Sequence, residues 1–161
     1  MDYTIFNPEQ TAREGGESEQ AHMERVLRDA CEKPPREALS EPGICDLLEP
    51  EFYACSAENQ SVTLAVTVKP WMLNPKATLH GGMMATMLDM AMGLLARCCG
   101  AGMNVSTVGL SVSYLRPAAA SEELLVTARV DKAGRRILFL SGDISRPDGK
   151  TVATATASFV P

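Results

Sequence analysis

The stretch from Gly81 to about Cys99 places Met83, Met84, Met87, Leu88, Met90, Leu94 and Leu95 around nearly its whole circumference, and this constrains the fold more than anything else in the chain. A helix that is apolar almost all round has to be buried, so the rest of the chain must supply a surface that wraps it. One carboxylate interrupts it: Asp89 is the only charged side chain between Lys76 and Arg97. The segment Asn74-Pro-Lys-Ala-Thr-Leu-His80-Gly81-Gly82 leads into the helix as a turn. The helix start presents unpaired amide N–H groups and the positive end of the dipole, which suit an electron-rich oxygen.

The wrapping surface is legible as strands. From Ser61 to Val68 the residues alternate, with Val62, Leu64, Val66 and Val68 on one face and Ser61, Thr63, Ala65 and Thr67 on the other. After the helix come strand-like segments at about Val105–Leu115, Glu123–Asp131, Arg135–Ser145 and Thr151–Val160. Lys132-Ala-Gly134 and Arg146-Pro-Asp-Gly149 between them read as hairpin turns. Strand, helix, then antiparallel meander predicts an α+β domain with one principal helix against one sheet. Ahead of it, Met23, Val26, Leu27, Ala30 and Cys31 mark an amphipathic helix over Glu17–Glu32, stopped by Pro34-Pro35. The first sixteen residues are polar and read as a loose arm. The predicted division is therefore 1–43 for arm and helix and 44–161 for the domain.

With 161 residues the chain has room for one real core. A net charge of −5 argues against general nucleic-acid binding, since no basic stripe could neutralise a run of phosphates. Asp89, Gly93 and Arg97 interrupt the apolar helix, so no membrane span is expected, and no basic-then-apolar leader opens the chain. Cys31, Cys45, Cys55, Cys98 and Cys99 are an odd set without C-x-x-C spacing. They read as reduced core thiols of a cytoplasmic protein rather than as a disulfide framework or a zinc site.

At about 100° per residue, Asp89 shares its face with Ala85, Thr86, Gly93 and Ala96, all small, leaving room for a ligand or another backbone. No cation stands three or four residues away. Asp89 is thus either a carboxylate with a chemical task or a buried bridging group. His80, at a helix start, is equally open between a structural and a functional part. With only His22 and His80 as histidines, no metal-ligand spacing arises. The absence of a G-x-S-x-G elbow removes a serine-hydrolase reading.

Asn-x₅-His-Gly-Gly-x₆-Asp on a long central helix, between a strand and a meander, resembles the hotdog fold. More narrowly it resembles the phenylacetic-acid-degradation-type (PaaI-like) acyl-CoA thioesterases, over about Ile44 to Val160. The resemblance implies an antiparallel sheet wrapped around one long helix, with the N-terminal helix as an addition. It implies that Asp89 is general base or nucleophile and that the Gly81 N–H, beside Gly82, polarises the thioester carbonyl. Asn74 would help hold that carbonyl or the water, His80 would orient, and Thr107 would position water where relatives often carry serine. Ala77 departs from a common glycine. Arg135 and Arg136 either meet the phosphates of coenzyme A or form a solvated hairpin tip. The methionines fill the core, with one edge free to border an acyl pocket.

A desolvated carboxylate suits general-base work, and a helix N-terminus supplies an oxyanion site without metal. The expected activity is hydrolysis of an aryl- or medium-chain acyl-CoA to acid and CoA, with no cofactor beyond the CoA of the substrate. An acyl-CoA-binding sensor and a hotdog enoyl-thioester hydratase or dehydratase are the competing readings. A single sheet leaves edge strands and an open face, so a homodimer continuing the sheet, and further a homotetramer, is expected. Similar proteins place the active site at the dimer interface.

Overall fold

The computed structural model describes residues 15–32, 43–99 and 105–160. The arm before residue 15 and the Pro34-Pro35 stop fall outside them. Helix α1 (Glu19–Glu32) begins two residues later than expected, because Ser18 is its cap: the Ala21 N–H donates to Ser18 Oγ at 3.2 Å and the His22 N–H to Ser18 O at 2.9 Å. A short helix α2 (Ile44–Leu48) and strand β1 (Glu51–Ser56) follow, neither marked by periodicity. Next come β2 (Ser61–Thr67), a single 3₁₀ turn at Pro70–Met72, and the central helix α3 (Gly81–Cys99). The chain closes with β3 (Ser106–Tyr114), β4 (Glu123–Ala133), β5 (Leu138–Ser145) and β6 (Thr151–Val160). The β4–β5 turn lies later than the expected Lys132–Gly134: β4 continues through Ala133, and the Gly134 N–H donates to Ile137 O at 3.0 Å.

All six strands form one antiparallel sheet in the order β1-β2-β4-β5-β6-β3. The meander is real for β4, β5 and β6, but β3 does not precede β4 in it. It lies at the far edge against β6, with Thr107 opposite Phe159 and Tyr114 opposite Ala153. Residues 115–122 therefore cross the width of the meander. The crossing is pinned where the Leu79 N–H donates to Ala118 O at 2.8 Å and the Ser121 N–H to Val68 O at 2.8 Å.

Helix α3 lies on one face of the sheet and buries Met87, Leu88, Ala91, Met92 and Leu95 against Val62, Leu64, Val126, Leu140 and Ile144. The helix comes close at Gly142 of β5, where a Cβ would stand 3.3 Å from Leu88 Cδ2 and 3.5 Å from Met92 Sδ of the helix, and 2.9 Å from Thr127 O of the neighbouring strand. A side chain there would push helix from sheet. Contrary to the expectation from its interruptions, α3 has the length and apolar composition a membrane crossing needs. A core helix passes the same test, and this one is packed on the sheet. Helix and sheet together make the hotdog fold, with α1 added over β1 and the end of α3.

None of the five cysteines is in a disulfide. Burial pushes the thiols of Cys31, Cys98 and Cys99 up to about 11, about 12 and about 11. Such thiols stay protonated and pack as small hydrophobes.

Candidate active site

Local hydrogen bonds shape residues 72–82. Asn74 Oδ1 accepts from the Lys76 N–H at 2.9 Å and the Thr78 N–H at 3.3 Å, while its Nδ2 donates to Thr78 Oγ1 at 3.0 Å. The Asn74 N–H donates to Thr78 O at 2.8 Å and the His80 N–H to Met72 O at 2.9 Å, so the segment doubles back tightly. Ala77 sits in the left-handed region at φ 56°, a conformation glycine adopts freely, which explains why a glycine suits this place.

The start of α3 disposes of its N–H groups unequally. His80 Nδ1 accepts from the Gly82 N–H at 2.9 Å, so the imidazole caps the helix in the tautomer with its proton on Nε2. The Met83 and Met84 N–H groups donate to His80 O at 2.9 and 3.2 Å. Among the described residues the Gly81 N–H has no acceptor, and Gly81 borders an open cleft with Asn74, Leu79 and Met84. That leaves one polarised donor on a residue that borders the cleft, the residue expected to polarise the thioester carbonyl. Gly81 is not in a left-handed conformation. Its lack of a side chain has a different cause, because a Cβ would stand 3.2 Å from Cζ of Tyr114.

Asp89 is half-buried, not sealed in the core. Thr107 Oγ1 donates to its Oδ1 at 2.8 Å, which brings together the expected acid and hydroxyl of the same chain. The predicted groove of small residues is half filled by the protein itself. Gly93 and Ala96 are buried, with the Phe159 ring 3.6 Å from where a Gly93 Cβ would be. Only the flank of Ala85 and Thr86 stays partly open. Arg97, two turns further on, carried no signal for the site in the sequence. Burial draws its guanidinium below the ordinary value, Cys45 and then Asp89 push it back, and its buried Nε has no hydrogen-bond partner among the described residues.

Gly81 and Asp89 are eight residues apart on α3, about 12 Å along its axis. One chain therefore does not bring the donor and the carboxylate onto the same carbonyl. Arg135 and Arg136 are exposed on the β4–β5 turn. Register places that turn at the Thr107 end of the sheet, since Ala133 faces Leu138, Leu138 faces Phe159, and Phe159 faces Thr107. Tyr114 and Arg116, which also line the cleft beside Gly81, had no sequence signal, because a tyrosine at a strand end is ordinary.

The hotdog fold sets a helix N-terminal donor and a hydroxyl-bound carboxylate along one helix, and its relatives make the chain a thioester hydrolase. The chain belongs to the thioesterase superfamily, whose family model matches residues 76–153. It is 30% identical over 113 residues to mouse acyl-coenzyme A thioesterase 13, covering 70% of this chain and 80% of that one. Bovine acyl-coenzyme A thioesterase THEM4 is 35% identical over 92 residues, 56% of this chain and 37% of that longer one. Among solved structures, a phenylacetic acid degradation-related protein from Ralstonia eutropha superposes with TM-score 0.71 at 30% identity, covering 84% of this chain and 99% of that one. A Streptococcus pneumoniae hypothetical thioesterase with coenzyme A superposes with TM-score 0.58 at 25% identity, covering 62% of this chain and 79% of that one.

Proposed function

We propose that this thioester hydrolase is an acyl-CoA thioesterase for aryl- or medium-chain acyl groups, working as a homodimer or homotetramer whose active sites each draw on two chains. The observation that carries the reading is the division of the machinery. A free Gly81 N–H stands at one end, and the Asp89–Thr107 pair, joined at 2.8 Å, lies two helical turns away. Strand β3 ends the sheet and has no neighbour on its outer side among the described residues. Antiparallel pairing of two such edges runs the Thr107 end of one strand beside the Tyr114 end of the other. Asn74, His80 and Gly81 of one chain then face Asp89 and Thr107 of the next.

In this mechanism the thioester carbonyl oxygen accepts from the Gly81 N–H. Gly82 and His80 fix the helix start, and Asn74 holds the turn that presents it. Thr107 donates to Oδ1 of Asp89 and accepts a hydrogen bond from water with a free lone pair. The water oxygen adds to the carbonyl carbon as Asp89 takes its proton, and the oxyanion is held at the helix terminus. Collapse breaks the C–S bond, the thiolate leaves as CoA and takes the proton from Asp89, and the free acid remains. Direct attack by the carboxylate would pass through a mixed anhydride, and the Thr107 hydroxyl beside it favours the water route. No step calls for a metal or cofactor, since CoA belongs to the substrate. Arg135 and Arg136, at the Thr107 end, suit the CoA phosphates. The CoA-containing pneumococcal neighbour and the names of the relatives support that leaving group. Five thiols outside any disulfide fit a cytoplasmic setting.

Steady-state release of free CoA from aryl-, short-, medium- and long-chain acyl-CoA tests the proposal. Turnover is expected for aryl or medium chains, and failure to release CoA from any of them sinks it.

A further inference from the structure

The Tyr114 ring rests on the backbone that carries the free donor. A Cβ on Gly81 would stand 3.2 Å from Cζ, 3.3 Å from Cε1 and 3.5 Å from Oη of Tyr114. Yet the side chain is not core, for Tyr114 is 54% exposed. The ring is thus a wall, with its tip on Gly81 and much of its surface open. The cleft it borders holds about 400 Å³ and continues along Leu79, Met84, Leu115 and Pro117. An oxygen bound at the Gly81 N–H puts one substituent of its carbonyl carbon into this cleft. Leu79, Met84, Leu115 and Pro117 form apolar walls that suit a hydrocarbon, with Asn74 and Arg116 as the polar residues of the lining.

We propose that Tyr114 sets the acyl-group specificity of the site: the carbons next to the thioester carbonyl pack against its ring, which admits flat, aryl-sized groups and limits bulky or long ones. The assignment rests on the thioesterase reading above. It gives Gly81 a second duty, since the missing side chain lets the ring sit against the oxyanion donor. An aromatic wall offers an aryl group offset or edge-on stacking, while an alkyl chain gains only contact area. The neighbouring Arg116 is tied back, its Nη1 donating to Thr151 O at 2.6 Å, which steadies the strand end that carries the tyrosine.

The test compares wild type, Tyr114→Phe and Tyr114→Ala on phenylacetyl-, hexanoyl- and decanoyl-CoA. Binding of the matching analogues, in which a methylene replaces the thioester sulfur, is measured alongside. Tyr114→Ala should raise the decanoyl to phenylacetyl ratio of kcat/KM by about tenfold or more, with the same reordering in analogue affinity. Tyr114→Phe keeps the wall and should keep the wild-type order. Gly81→Ala should lose far more activity with Tyr114 present than in the Tyr114→Ala background. An unchanged order in both turnover and binding overturns the assignment while leaving the hydrolase intact. A reordered analogue affinity in a protein that releases no CoA supports Tyr114 and sinks the hydrolase instead.

Discussion

Asp89 and Asn74 show how differently two polar residues of one site are engaged. Asn74 directs its oxygen and one amide proton into its own turn, whereas among the described residues Asp89 has a side-chain hydrogen bond only with the Thr107 hydroxyl. Asp89→Asn keeps the shape and can still accept from Thr107, but it cannot take a proton from water. We expect kcat to fall by roughly 10²–10⁴ with KM little changed, because the lost interaction belongs to the transition state. A folded variant with near wild-type turnover would make Asp89 structural. Ala77, at φ 56°, is strained in a way glycine is not. Ala77→Gly should stabilise by about 0.5–1 kcal/mol, the relief of strain exceeding the added freedom of the unfolded chain. Calorimetry should show Tm rise by about 1–4 °C. An unmoved Tm would mean the turn holds no such strain.

At the scale of elements, the 115–122 crossing decides where the cleft wall stands, and one ion pair clamps it. Arg146 Nε donates to Glu122 Oε2 at 2.8 Å and Arg146 Nη2 to Pro117 O at 2.7 Å, tying the crossing to the β5–β6 turn. The Arg146 guanidinium, then the Ala119 N–H, hold the Glu122 carboxyl below its ordinary value of 4.5. The folded value lies below the unfolded one, so the stabilisation is present above pH 4.5 and disappears as pH falls through the folded value. The pair is open to solvent, so the effect is small. Between about pH 5 and about pH 3, the Tm of wild type should fall more steeply than that of Glu122→Gln. Parallel curves would show that the clamp contributes nothing.

For the whole molecule, the proposed two-chain site, drawn from the separation of Gly81 and Asp89, would make assembly a condition of activity. Light scattering should find dimers or tetramers at micromolar concentration, and a stable monomer would contradict the proposed site. A sharper check mixes inactive Asp89→Asn and Gly81→Val subunits after reversible dissociation. In a two-fold dimer each hybrid rebuilds one intact site from the unaltered Gly81 of one chain and the unaltered Asp89 of the other. Random reassortment of equal amounts should restore about a quarter of wild-type activity. If each chain housed its own site, mixing would restore nothing.

The sequence by itself determined the buried helix, the strands that alternate and the residues around which a site could form. Strand β6 runs over Thr151–Val160 as the strand-like segment there predicts, and α3 starts at Gly81 because the turn and the His80 cap are local. These properties depend on neighbours a few residues away, which a one-dimensional pattern records. Strand β1 escaped because Phe52, Cys55 and Ser56 are half-buried while Tyr53 and Ala54 are exposed, so its sequence does not alternate. Tertiary structure alone decided that β3 leaves the meander for the far edge, since alternation identifies a strand but not its partner. It also decided that Phe159 fills the flank beside Gly93, that Arg97 comes near Asp89, and that Tyr114 stands on Gly81. Each of those contacts joins segments whose meeting is set by how the sheet folds over the helix, and no local spacing encodes it.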